Sequence, residues 1–269
     1  MGLASPAAAS IGDVDSVLMV LRRLVAGLDS RDLTRRIKRG LLRAPVVSRA
    51  VLAFDRRRLD RLERDGDAAE RSKIRWREAP PGPGLTWGVE LAGDPVVAAA
   101  EAHGVFGPGR TVLEIGPGYG RVIRACIERG TAFGRYIGLD ISEENAKYLR
   151  EVIDDPRIEI MHGDAESVSL AEPVDSVLSF LTFKHLYPSF EGALANLQPQ
   201  LRSGATVMFD LMEGSRRLFE RDQATFLRQY SRSEIAEILG RIPLELVAFD
   251  RIEHAPGRVR LLFVARNPV

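Results

Sequence analysis

Cysteine occurs once in the 269 residues, at Cys126, so no intrachain disulfide can form and disulfide-framework folds are excluded. A lone thiol fits a reducing cytoplasm, and its place on an apolar, helix-compatible segment reads as a small core residue. Histidine is scarce too. Asp210, Glu213, His185 and His254 come from distant segments without recognisable metal spacing, so no metal site is expected. A divalent ion such as magnesium stays open only through the acids Asp210 and Glu213. No apolar run approaches the roughly 18 residues needed to span a bilayer. The first ten residues lack the basic stretch of a signal peptide, and none is expected there. There is no internal repeat.

An excess of one charge is also lacking overall, since the net is +1, but the charge is unevenly spread. Between Arg22 and Glu78 there are 18 Lys/Arg against 9 Asp/Glu, and the remainder is acidic. Apolar residues at 17, 18, 20, 21, 24, 25 and 28 give the start of this region a helical period, and two further helical stretches follow. Such basic helices have three readings: a solvated cap over a site, a face that lies on anionic membrane, or a phosphate-binding surface. Scarce aromatics and the lack of a zinc-knuckle or RNA-module signature argue against nucleic acid as a partner. Ala79-Pro-Pro-Gly-Pro-Gly84 then breaks regular structure. Residues 1–84 are therefore expected to form a basic helical extension or cap, and residues 85–269 the main domain.

What is present centres on Val112-Leu-Glu-Ile-Gly-Pro-Gly-Tyr-Gly-Arg121. A buried parallel strand runs into a Gly-x-Gly-x-Gly turn, where missing Cβ atoms let backbone N–H groups approach a ligand. The next strand, Tyr136-Ile-Gly-Leu-Asp140, ends in a carboxylate placed to hold the two hydroxyls of a nucleoside ribose. The dinucleotide fingerprint is Gly-x-Gly-x-x-Gly; here the third glycine comes one residue early. Glu114 beside the turn would repel a pyrophosphate but suits an ammonium group. The loop reads as a seat for an amino-acid-like nucleoside, which makes a nicotinamide enzyme the weaker alternative.

With these motifs the chain resembles the class I S-adenosylmethionine-dependent methyltransferases, in order from about Arg110 to the C-terminus. Val112–Gly120 matches the family's first motif and Tyr136–Ile141 its second. Ile158-Glu-Ile-Met-His-Gly-Asp164-Ala-Glu166 looks like the third, and Val174-Asp-Ser-Val-Leu-Ser179-Phe is similar to the fourth strand. Gln198–Asp210 resembles the fifth, and Ser231–Gly240 the helix before a terminal antiparallel hairpin. The resemblance implies an α/β, Rossmann-like, seven-stranded doubly wound sheet with that hairpin at its end. It also implies S-adenosyl-L-methionine as cofactor and S-adenosyl-L-homocysteine as product. By the same likeness Glu114, Gly116 and Gly118 serve the methionine end, and Asp140 with Ile141 the ribose. Asp164 with Ala165 then reads the adenine, and Ser179 contributes backbone. Tyr119 and Trp87 either cover the cofactor or simply pack.

Strands are predicted at Thr111–Ile115, Tyr136–Asp140, Ile158–His162, Ser176–Phe180, Thr206–Leu211, Leu244–Arg251 and Arg258–Ala265, with a helix over Pro95–His103. If the acceptor is a hydroxyl, methyl transfer needs a base near the fourth or fifth strand. His185, in Thr182-Phe-Lys-His-Leu-Tyr-Pro188, is the candidate, the alternative being a histidine that only shapes the pocket. Lys184 and Tyr187 either bind substrate or lie on a solvated helix. Asp210 and Glu213 are candidates for holding a sugar hydroxyl, and His162 reads as a core or pocket-wall residue. Nucleic-acid members of the family often carry Asn/Asp-Pro-Pro-Tyr/Phe after the fourth strand; Ser179-Phe-Leu-Thr stands here instead. The expectation is a cytoplasmic enzyme, in contact with the membrane through its basic helices at most, that O-methylates a sugar hydroxyl of a glycan, glycolipid or other small molecule. The alternatives are a nucleic-acid or protein methyltransferase and a non-catalytic scaffold that binds the cofactor.

Overall fold

Short aliphatic runs separated by amphipathic segments give the chain its layers. In the computed structural model, residues 56–57, 59–78, 93–220, 224–255 and 258–269 are described. The chain divides into two units, Met1–Arg58 and Leu59–Val269. Within the second, the order is α1 (Ala68–Arg77), α2 (Asp94–Ala102), β1 (Thr111–Ile115), α3 (Arg121–Arg129), β2 (Arg135–Asp140), α4 (Glu143–Val152), β3 (Ile158–His162) and β4 (Val174–Ser179). There follow α5 (Glu191–Leu197), β5 (Leu201–Leu211), β6 (Arg217–Phe219), β7 (Phe226–Arg228), α6 (Arg232–Arg241), β8 (Glu245–Ala255) and β9 (Arg258–Arg266).

Seven strands form one sheet in the order β3-β2-β1-β4-β5-β9-β8. The first five are parallel, and β9 runs antiparallel between β5 and β8. Alternation along β1 sends Leu113 and Ile115 to one face and Val112 to the other. The first face packs on α5 and α6 through Leu194, Leu197, Ile235 and Ile238, around Phe183, Phe190 and Phe209. The second packs on α2, α3 and α4 through Val97, Ile123 and Leu149. Both faces are therefore covered, as a parallel sheet requires. The seven predicted strands are all present, the later ones longer than expected; β5 begins at Leu201 and β8 runs to Ala255. Cys126 is buried in the α3 face of the core.

Two helices start on side-chain caps. Ser142 Oγ accepts from Asn145 N at 3.2 Å, and Ser231 Oγ from Glu234 N at 3.2 Å. A third apolar cluster, absent from the sequence expectation, joins Leu59, Leu62 and Ala68 to Phe219 and Phe226 of the small β6–β7 hairpin, with Tyr187 against it. Helix α1 thus belongs to the same compact unit as the sheet.

Candidate functional site

The strand order reverses between β1 and β4, and a cavity opens there beyond the carboxyl ends of the parallel strands. The glycine turn after β1 forms its floor. Gly116 has φ +71° and donates its N–H to Leu139 O at 2.8 Å. A Cβ on Gly116 would come 2.3 Å from Thr182 Oγ1. Gly118, at φ +58°, has open space where its Cβ would stand, so bare backbone faces the cavity.

Asp140 is buried at the end of β2, and two backbone N–H groups hold it. Its Oδ2 accepts from Gly118 N at 2.9 Å and its Oδ1 from Ser142 N at 2.8 Å. Burial raises its carboxyl to about 6 although both bonds pull the other way. Glu114 is buried as well; its Oε2 accepts from Tyr136 Oη at 2.6 Å, and burial pushes it up to about 7. Beside Asp140, Asn145 lines the cavity with a buried Oδ1 that accepts no hydrogen bond among the described residues. These groups, two enclosed carboxyls and an orphaned carbonyl oxygen, fit a ligand that offers hydroxyls and an ammonium group.

Asp164 and Ala165 follow β3 on the same wall. Asp164 Oδ1 accepts from Glu166 N at 3.0 Å, while Oδ2 pairs with Lys73 Nζ of α1 at 2.6 Å. The opposite end of the cavity is lined by Tyr119, Arg121, Phe180, Leu181, Thr182, His185 and Tyr187, with Trp76 of α1 beside His185 at a ring separation of 4.4 Å. Arg121 donates to the Tyr119 hydroxyl at 3.2 and 3.1 Å and sits over its ring.

His185 Nδ1 lies 2.7 Å from the carbonyl oxygen of Phe226 in β7. A carbonyl only accepts, so Nδ1 carries the proton and Nε2 keeps its lone pair. Burial, then the Lys184 charge, hold the ring well below the ordinary histidine range, so it is neutral at physiological pH. Lys184 itself is brought down to about 8 by burial and the Arg260 charge.

Of the residues expected at a site, Glu114, Gly116, Gly118, Asp140, Ile141, Asp164, Ala165 and His185 line this single cavity. Ser179 does not: it is buried with its hydroxyl 3.5 Å from Ile115 O, and the next residue, Phe180, reaches the wall instead. Asp210 is no sugar or metal ligand. Its carboxylate is buried, accepting from Leu181 N and Arg260 Nε at 2.5 Å each. This anchors the loop after β4, where Leu181 takes φ +65°. Glu213 is exposed and pairs with Arg232 at 3.3 Å. His162 corrects the core reading too, since it sits exposed at the end of the edge strand β3. His103 ends α2 and meets Asp250 at 2.5 Å, while Tyr187 donates to Glu63 at 2.9 Å. Trp87 and the His254 side chain lie outside the described residues. Among the described residues no group of three or more His, Cys, Asp or Glu could hold a metal ion.

Sequence reasoning missed Lys73, Trp76, Arg121, Asn145 and Thr182 as wall residues. One signal was available: a tryptophan amid Arg71, Lys73, Arg75 and Arg77 is out of place on a solvated helix.

Residues 113–209 match a methyltransferase domain family model. A relative from Mycobacterium ulcerans, phthiotriol/phenolphthiotriol dimycocerosates methyltransferase 1, is 29% identical over 135 residues. The match covers 49% of each protein, so the chain spans about half the length of the curated relative it matches. Among solved structures, the Burkholderia thailandensis 1,6-didemethyltoxoflavin-N1-methyltransferase with bound 1,6-didemethyltoxoflavin and S-adenosylhomocysteine superposes with a TM-score of 0.59 at 21% identity. That likeness covers 77% of this chain and 90% of that one. A Mesorhizobium loti S-adenosylmethionine-dependent methyltransferase gives 0.52 at 15% identity, over 64% of this chain and 97% of its own.

Proposed function

We propose that the chain, whose residues 113–209 match a methyltransferase domain model, is a class I S-adenosylmethionine-dependent methyltransferase that methylates a hydroxyl oxygen, with His185 as the general base. The cofactor supplies a methyl group made electrophilic by its sulfonium sulfur. Gly116 and Gly118 seat its methionine end, with Glu114 beside the ammonium. Asp140, with Ile141, takes the ribose hydroxyls, and Asp164 with Ala165 the adenine. At the other end, the acceptor hydroxyl gives its proton to His185 Nε2 as the new oxygen–carbon bond forms and the sulfur–carbon bond breaks. Positioning of the two reactants in one cavity supplies much of the rate.

The observation that carries this reading is the His185 tautomer. Phe226 O occupies Nδ1 and so leaves the basic nitrogen on a ring that lines the cavity. His185→Ala should lower turnover roughly 100-fold or more while S-adenosylhomocysteine affinity stays nearly intact. Unchanged turnover would remove the base.

The acceptor proposed is a hydroxyl of a glycan, glycolipid or similar small molecule. Trp76, Phe180 and Leu181 offer it an apolar wall, and the basic segment Arg22–Glu78 suits an acceptor presented on an anionic membrane surface. The Mycobacterium ulcerans relative is named for methylating phthiotriol and phenolphthiotriol dimycocerosates, which favours a lipid-borne alcohol. Methyl-labelled cofactor and separated cell fractions test the choice. Label is expected as an alkali-stable ether in a glycolipid or carbohydrate fraction; label in RNA or protein would overturn it.

A further inference from the structure

Helix α1 precedes the segment matched by the family model, yet Ser72, Lys73 and Trp76 on it line the cavity. Two of its arginines pair with acids close by in the chain, Arg71 with Asp67 and Arg77 with Glu70. Lys73 does something different. It reaches two acids that follow β3, Asp164 Oδ2 at 2.6 Å and Glu166 Oε2 at 2.5 Å. All three side chains are only about one-fifth exposed (20%, 21% and 22%), so the contact is partly shielded from solvent. Burial alone would lower the Lys73 ammonium, but its hydrogen bonds to the two acids outweigh this and hold it above its ordinary range.

The consequence falls on Asp164. Its Oδ1 is tied to Glu166 N and its Oδ2 to Lys73, so the plane of the carboxylate is fixed from both ends. Each carboxylate oxygen accepts more than one hydrogen bond, so Asp164, which lines the cavity, keeps acceptor capacity beyond these two bonds. A carboxylate fixed this way presents acceptors only, which selects a ligand edge that carries an amino group and disfavours one that carries a carbonyl.

We infer that Lys73 is a cofactor-positioning residue, supplied by a helix outside the matched domain, that fixes Asp164 to read the adenine amino group. The inference rests on Asp164 being the adenine acid. The test titrates S-adenosylhomocysteine and S-inosylhomocysteine, in which a carbonyl replaces the amino group, into the full chain and its variants. The unaltered protein should prefer the adenine compound. Lys73→Met should lose roughly tenfold in affinity for it and most of the preference, and Lys73→Arg should restore both. Lys73→Gln, which keeps a donor without the charge, takes the place of the methionine variant if melting curves show that one unfolded.

Asp164→Asn separates the two ideas. If it abolishes the preference while Lys73→Met leaves it, or weakens both compounds equally, the role of Lys73 is overturned alone. Tighter binding by Lys73→Met overturns it as well, because the lysine would then compete with the ligand for Asp164. If Asp164→Asn keeps the preference, the adenine assignment falls and the inference falls with it.

Discussion

Asp140 and Glu114 show at the scale of single residues what the cavity asks of a ligand. Burial raises the first to about 6 and the second to about 7, so it shifts the preference of both toward the protonated form relative to an exposed carboxyl. Because these values lie above the unfolded ones, the stability they contribute is complete below about pH 4 and is lost as pH rises through about 6 and 7. A ligand that donates two hydroxyls to Asp140 favours the ionised carboxylate and reverses that preference. Binding of S-adenosylhomocysteine should therefore release protons near pH 6. Its affinity should fall as pH drops below about 6, approaching tenfold per pH unit. Calorimetry in two buffers of different ionisation heat measures both effects. An affinity flat from pH 7 to 5 would break the assignment of both carboxyls to the ligand, and Asp140→Asn should remove the part of the fall that sets in near pH 6 while leaving the part Glu114 contributes near pH 7.

At the scale of elements, the glycine turn after β1 separates two consequences of one kind of substitution. Gly116 and Gly118 both have positive φ, so alanine at either is strained by about 1–2 kcal/mol. At Gly116 the new methyl also meets Thr182 Cγ2 at 2.7 Å, within the loop that Asp210 anchors. At Gly118 it meets no protein atom within 4 Å and enters the space proposed for the cofactor. Gly116→Ala should therefore lower the melting temperature more than Gly118→Ala. Gly118→Ala should lose S-adenosylhomocysteine affinity by at least tenfold in a protein destabilised by no more than that backbone strain. Equal effects of the two on both readings would show that the turn has no ligand-facing side.

This turn and the strands around it were legible because their signals are local: period and a glycine triplet. Other elements were not. Strands β6 and β7 are three residues each, too short for a period to show. Asp210 looked like a site acid because the residue that neutralises it, Arg260, lies fifty positions along the chain and meets it only through the pairing of β5 with β9. The three readings of the basic segment stayed open for the same reason, since Lys73 of α1 finds its acids at Asp164 and Glu166, about ninety positions along the chain.

Across the whole molecule, one sheet supplies the carboxyl-end residues of the cavity, while α1 lines it with Ser72, Lys73 and Trp76 and itself packs on the β6–β7 hairpin through Ala68. Phe226 sets the tautomer of His185 from the hairpin, and Trp76 meets the same ring from α1. A ligand spanning the cavity from Asp164 to His185 would thus add to the contacts that already join these elements, the Lys73 ion pairs, the Trp76–His185 ring contact and the apolar cluster around Phe219 and Phe226. Such a ligand binds the folded chain and not the unfolded one, so it should stabilise the unit as a whole. At a hundredfold excess over its dissociation constant, S-adenosylhomocysteine should add about 2.7 kcal/mol. For a unit of this size that raises the melting temperature by roughly 5–10 °C. NAD should leave it unchanged, because the early third glycine and the carboxyl of Glu114 leave no seat for a pyrophosphate. A shift with NAD and none with S-adenosylhomocysteine would overturn the reading of the cavity from its glycine turn outward.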